Sequence, residues 1–272
     1  MKFKVLPLPK TQPVSKLWQS PPATLYRQLA TVIDKSLQQR TAGNPVCVCF
    51  RADDIGVPGK RFTRLLQLFT RYQAPLALAV VPTWLTPQRW SVLAQLAGGS
   101  ESLWCWHQHG WRHKNHELQL KKQEFGPSRT AEAIEEDLVR GKERLAGIMK
   151  KAWFPMFTPP WNRCSRETLA LLKNLNFKAV SRFAGAQPES PGGLTEISLD
   201  IDLHTRKDVS ASAGWRNLFF ELSQGLVKDR CGIMIHHQRM NEAAFAFLEY
   251  LLKVLSRSNG CRFASMKEWV RD

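Results

Sequence analysis

The chain has 272 residues, 43% hydrophobic and 23% charged, which is ordinary globular usage and excludes collagen-like and wholly disordered chains. Lys and Arg outnumber Asp and Glu by 39 to 23, a net charge of +16 that attracts polyanions without choosing among nucleic acid, an anionic membrane face and an acidic glycan. No run reaches the ~18 apolar residues of a membrane span, and the opening MKFKVLPLPKTQP lacks the apolar core of a secretory signal, so a cytoplasmic location is expected.

Residues 1–21 are Pro-rich and aperiodic and are expected to form a surface arm, with one domain over 22–272. Leu25, Leu29, Val32, Ile33 and Leu37 recur at helical spacing, and 46–50 reads as a short buried strand after Asn44-Pro45. Phe62, Leu65, Leu66 and Phe69 mark a helix, 76–81 a strand stopped by Pro82, 88–97 a helix ended by Gly98-Gly99, and 103–106 a third strand. A long, polar, His-rich stretch follows over 107–127, and long ordered loops are often functional. The helix expected at 130–150 carries Glu132, Glu135, Glu136 and Asp137 early and Arg140, Lys142, Arg144 and Lys150 late, complementing its dipole. Strands are expected at 154–157, 179–182, 197–202, 232–235 and 261–264. Helices are expected at 167–175, 214–227, around Phe245–Leu255 and at 266–270. Such alternation predicts an α/β fold of parallel strands. Seven or eight strands suit a barrel, complete or incomplete, with a doubly wound open sheet as the competitor. None of the six cysteines forms a C-x-x-C pair, and Cys47, Cys49, Cys105 and Cys231 lie in apolar runs, so free, buried thiols in a reducing compartment are expected.

The reactive residues fall at carboxyl ends of predicted strands, which in parallel α/β folds all face one way. Asp53-Asp54 follow the first strand; one carboxylate can bind a metal while the other takes a proton from water. W-H-Q-H-G-W-R-H-K-N-H-E holds four of the seven histidines. His109 and His113 have the i, i+4 spacing that, on a helical turn, puts both imidazoles on one side, as in zinc sites. His107 and His116 would be supporting residues. Pro159-Pro160-Trp161-Asn162 is a rigid turn whose Trp161 can stack on a sugar ring and whose backbone N–H can stabilise an oxyanion. His236-His237 close a buried strand on opposite faces, so one of them faces the mouth as a general acid.

These motifs, in this order over roughly residues 46–240, resemble those of the polysaccharide deacetylases of the NodB-homology superfamily. F-R-A-D-D-I-G resembles the first motif, H-G-W-R-H the H-x-x-x-H metal motif, F-T-P-P-W-N the third and I-M-I-H-H the last; H-Q-H-G-W-R-H-x-N-H-E followed by E-F-G is similar to a less-studied bacterial branch. The resemblance implies a distorted (β/α)7 barrel, a divalent metal, most simply Zn2+, and removal of acetyl groups from amino sugars. It implies Asp53 as base, Asp54, His109 and His113 as metal ligands, Trp161 with Asn162 at the oxyanion and sugar position, and His236 as acid with His237 beside it. Two departures stand out. Thr158 occupies the place of the third motif's Arg, which contacts the base, leaving Arg163 or Arg51 to substitute. D-I-D-L-H-T-R lacks the fourth motif's Trp, leaving Asp202 as its remnant. Two rivals remain: a basic polyanion-binding protein on a degenerate scaffold, and a metal hydrolase of other substrates such as phosphoesters. The expected partner is an acetylated sugar or small amide, with an anionic ligand attracted by the basic surface.

Overall fold

The computed structural model describes residues 13–41 and 43–270. Helices α1 (Lys16–Gln19) and α2 (Leu25–Gln38) precede β1 (Val46–Ile55); α3 (Lys60–Arg71), β2 (Leu76–Val80), α4 (Pro87–Ala97) and β3 (Trp104–His109) follow. Next come α5 (Ala131–Met149), β4 (Trp153–Thr158), α6 (Arg166–Asn174), β5 (Ala179–Phe183), β6 (Thr195–Leu199) and β7 (Ile201–Asp202). The chain ends with α7 (Ala211–Leu226), β8 (Arg230–Ile235), α8 (Glu242–Arg257), β9 (Cys261–Phe263) and a 3-10 turn, Met266–Trp269, where a helix was expected. Helices α4 to α8 each start on a side-chain cap, from Thr86, Thr130, Ser165, Ser210 and Asn241, which satisfies backbone N–H groups that would otherwise be orphaned.

The strands pair in parallel in the order β6-β5-β4-β3-β2-β1-β8-β7, with β9 against the start of β1. Strands β6 and β7 are one strand bent at Asp200: the first half pairs with β5, the second with β8. That bend closes the sheet into the seven-stranded barrel and removes the open-sheet alternative. Asp200 fixes the corner by donating its N–H to Gly232 O (2.8 Å) and accepting Gly232 N–H at its carboxylate (2.9 Å). Only glycine fits there, since a Cβ on Gly232 would lie 2.4 Å from Ser198 O.

Strand alternation sorts the side chains. On β1, Val46, Val48, Phe50 and Ala52 join the outer core under the helices, while Cys47 and Cys49 join an inner cluster with Ala77, Cys105, Met156, Ala179 and Met234. A narrow lumen requires these small or slender side chains. By the same parity Arg51 and Asp53 stand inside the barrel, toward the carboxyl end. All six cysteines are free; Cys49, Cys105 and Cys231 are buried as expected, Cys164 is buried too, and Cys47, expected to be buried, is only partly so. Among the described residues no helix is long and apolar enough to cross a membrane.

Residues 1–12 of the expected arm lie outside the described residues. The rest corrects the expectation: α1 is seated in the fold, with Leu17 and Trp18 each only 1% exposed. Trp18 donates its indole N–H to Leu203 O (2.8 Å) and meets the Trp215 and Phe247 rings edge-on at 5.0 Å. The Pro-rich flanks hid this single aromatic anchor. Trp18→Ala is expected to cost about 3–5 kcal/mol, as for other buried Trp truncations. A urea midpoint like that of the parent would show that the segment adds nothing to stability.

Candidate metal centre

At the carboxyl end of the barrel three side chains converge. His113 Nε2 lies 3.2 Å and His109 Nε2 3.4 Å from the same Asp54 oxygen, Oδ1, and one ligand atom from each residue lies within 4.8 Å of the others. The convergence depends on backbone irregularity. Asp54 should point away from Asp53 by strand alternation, but its φ of +62° and the register break between Ala52 and Ile55 turn it inward. His113 is not on a helix with His109, as the i, i+4 spacing had suggested. Its imidazole returns because β3 ends at His109 and the chain reverses through Gly110 (φ +58°) and His113 (φ +57°). Trp161 and Asn162 are left-handed too, so four of the seven described non-glycine residues with positive φ stand here. Strain of this kind collects where surrounding structure holds a functional geometry.

The three residues fit a divalent cation. Asp54 Oδ1 and His109 Nε2 are buried with no hydrogen-bond partner, which a cation would relieve. His109 Nδ1 lies 3.0 Å from Thr158 O; donation to that carbonyl leaves the Nε2 lone pair facing Asp54. Burial pushes the Asp54 carboxyl up, but the neighbouring His113 and His109 outweigh it and hold it far below the usual range. Burial lowers His109, yet the contact with Asp54 and the nearby Asp53 raise it above the ordinary imidazole value. A proton therefore competes for His109 to a higher pH than at a free imidazole of about 6.5, whereas burial lowers His113 and leaves it the readier ligand. Because only the neutral ring can ligate, metal affinity is expected to climb as pH rises through and above 6.5. Equilibrium dialysis with Zn2+ between pH 5.5 and 8.5 checks this; a flat affinity would contradict it.

Beside the triad, Asp53 is 2% exposed and is held by Arg51, which donates Nε–H to one carboxylate oxygen (2.7 Å) and Nη2–H to the other (2.8 Å). Arg51 is fully buried; it also donates to Ser181 O (2.9 Å), Ser181 Oγ (2.8 Å) and Asn162 Oδ1 (2.6 Å). Burial would raise the Asp53 pKa, but the guanidinium, then His109 and His236, lower it below the ordinary value. Of the two arginines open to this position, Arg51 takes it; Arg163 is exposed and makes no such contact among the described residues. Thr158 instead meets His107, whose Nε2 lies 2.9 Å from its hydroxyl. Burial pushes His107 down to about 3, so it stands beneath the site as a neutral ring.

The remaining expected site residues divide. Trp161 is half-buried with its ring 4.6 Å from that of His113. Asn162 is turned inward to Arg51 and Met234 Sδ, which removes it from the sugar and oxyanion position expected of it. His236 has the parity of Met234 and faces the lumen, close enough to bear on both Asp53 and Asp54. His237 has the parity of Ile235 and stands edge-on to Phe62 at 5.6 Å, with burial pushing it down to about 4. Asp202 does not support His236 by any hydrogen bond: one carboxylate oxygen accepts His204 N–H and Thr205 N–H (both 2.9 Å), the other the Thr205 hydroxyl. It caps the turn after β7, as Asp side chains do in short polar turns. His116 also stands apart, pairing its backbone N–H with Gln123 O (2.9 Å) on the outer loop.

Sequence reasoning missed three contributors. His204, fully buried, accepts the His236 backbone N–H at Nδ1 (3.2 Å). Glu117 binds Ser128 N–H (3.1 Å) and its hydroxyl (2.6 Å), closing the long loop. Glu124 takes three backbone N–H groups of the turn that carries His113; burial pushes its carboxyl up to about 7 against their pull. No periodicity marks any of the three.

Comparison with known proteins agrees with this frame. The family model described as polysaccharide deacetylase matches residues 39–180, just over half the chain. No curated protein sequence matches significantly. Among solved structures, a Mycobacterium smegmatis protein described as a polysaccharide deacetylase aligns at TM-score 0.60 and 16% identity over 84% of this chain and 90% of that one. A family 4 acetyl xylan esterase from Clostridium thermocellum, solved with cobalt, aligns at 0.55 and 13% over 82% and 89%. A CE4 family pseudoenzyme from Bacillus anthracis aligns at 0.55 and 9% over 85% and 67%. Identities this low speak for the fold alone, and the family model adds the sequence link: the chain belongs to the polysaccharide deacetylase family.

Proposed function

We propose that the protein is a metal-dependent hydrolase that removes acetyl groups from N-acetylated amino sugars or related amides. The observation that carries the reading is the Asp54–His109–His113 cluster with a second, separately tethered carboxylate, Asp53, at its side. Two imidazoles and one carboxylate leave open positions and suit Zn2+. Such an ion acidifies water and polarises an acetyl carbonyl.

The chain's own residues supply the rest. Asp53, kept ionised by Arg51, accepts the proton of the attacking water. His236, inside the barrel at the end of β8, the strand paired with β1, delivers a proton to the departing amine nitrogen. Trp161 forms the apolar wall on which a sugar ring lies. The basic surface also has a place in the reading. Arg112, Lys114 and Arg163, on the loops after β3 and β4, and Arg166, at the start of α6, are exposed and have no ion-pair partner among the described residues. The carboxylates of that long loop, Glu117 and Glu124, are buried and already hydrogen-bonded. An acetylated sugar bearing an anionic group is therefore favoured over its neutral counterpart.

The test is elemental analysis of the purified protein followed by acetate release from neutral and anionic acetylated amino sugars, with phosphoesters as the rival panel. Acetate release that needs the metal supports the reading. Stoichiometric metal with phosphoester cleavage and no acetate release would replace it with the other hydrolase. Salt-steep polyanion binding by a protein that takes up no metal would favour the binding scaffold.

A further inference from the structure

We propose that Glu124 is a positioning residue of the metal centre, the carboxylate that holds the His113 turn in the shape that aims its imidazole at Asp54. The inference rests on the reading of Asp54, His109 and His113 as cation ligands. Glu124 is 1% exposed. Its Oε2 accepts Trp111 N–H (3.2 Å) and His113 N–H (3.1 Å), and its Oε1 accepts Arg112 N–H (2.6 Å). Three successive N–H groups directed at one point form a concave anion site, here filled by the chain's own side chain. The turn is wrapped closely around it: a Cβ on Gly110 would stand 2.1 Å from Glu124 Oε2. Among the described residues no cationic side chain shares the carboxylate; the neighbouring Arg129 donates to the Glu124 main-chain oxygen (3.3 Å).

The two imidazoles are thus held by different means. His109 is fixed by β3 and by Thr158 O. His113 lies beyond the strand, and its backbone is held directly by Glu124. Losing the carboxylate should release one ligand of three and leave the other two in place.

Co2+ is the probe, because its visible absorption reports coordination number and geometry as well as affinity. Glu124→Gln keeps the side chain's size and one acceptor oxygen. It is expected to fold, to bind Co2+ about 10–100-fold more weakly than the parent, in the range seen for outer residues of metal sites, and to give an altered spectrum. Glu124→Asp keeps the charge one methylene short and carries the same comparison should the glutamine variant not fold. Glu117→Gln is the control, since Glu117 holds the far part of the same loop through Ser128 and does not touch the His113 turn. Co2+ affinity and spectrum unchanged in a folded Glu124 variant would overturn the proposal. Equal weakening by Glu117→Gln would also overturn it, reducing Glu124 to general loop stability. A parent protein that takes up no Co2+ would defeat the metal reading itself, and this inference with it.

Discussion

His109→Ala and His113→Ala are each expected to abolish stoichiometric metal binding and to lower acetate release on the order of 10³-fold or more, a barrier change of about 4 kcal/mol. Neither loss has a ready substitute. Among the described residues Asp54, His109 and His113 are the one group of His, Cys, Asp and Glu close enough together to hold an ion. His107 is committed to Thr158 and the Cys105 carbonyl, and His116 is on the outer loop. A stability measurement separates loss of the site from loss of the fold. An ion that binds only the native state raises stability by about 4 kcal/mol at a thousandfold excess over its Kd. The parent's melting temperature should therefore rise with added Zn2+, whereas each variant's should not. The double variant retaining one Zn2+ per chain would sink the assignment of the ligands.

The frame of this site was legible in the chain, and its closing details were not. Strand alternation along C-V-C-F-R-A-D-D places Arg51 and Asp53 on one face of β1 with Cys47 and Cys49, because a strand repeats every two residues. The same parity in G-I-M-I-H-H puts His236 inside with Met234 and His237 outside with Ile235. Reading both strands against their inward cysteine and methionine would have chosen Arg51 over Arg163 and His236 over His237. What strand and helix periods cannot convey is the backbone between regular elements. Asp54 reaches the imidazoles only through a left-handed residue, and His113 through a reversal that its spacing from His109 disguised as a helix. Asp202, read as the remnant of a motif, spends its carboxylate on its own turn. Glu124 acts by collecting backbone N–H groups, a role any loop carboxylate can have and none advertises. Trp18 was hidden for a related reason: a single buried aromatic in a Pro-rich flank has no period at all.

The second large effect concerns the tether of the base. Arg51→Met is expected to lower kcat/KM about 10²-fold and to move its acidic limb to higher pH. The direction follows from the opposing influences on Asp53. Burial raises the carboxyl and Arg51 lowers it, with the net value below the ordinary one, so the parent's base is ionised well into the acid range. Without the guanidinium, burial prevails, the carboxyl holds its proton to higher pH, and the active fraction falls accordingly. Breaking a fully buried pair should also cost about 3–5 kcal/mol, so activity must be measured on protein shown to be folded. Thr158→Arg in the Arg51→Met background supplies a sharper check. Thr158 ends β4 and holds the place of the third motif's Arg, so a guanidinium there is expected to reach the carboxylate that Arg51 no longer holds. If charge beside the base is what matters, the second change restores part of the rate and returns the limb toward lower pH. If the pH profile of Arg51→Met matches that of the parent, the arginine is a structural cation and Asp53 is governed by something else. The swap thus asks whether the tether belongs to a position in the chain or to a point in space. The bidentate geometry on β1 argues for the point in space.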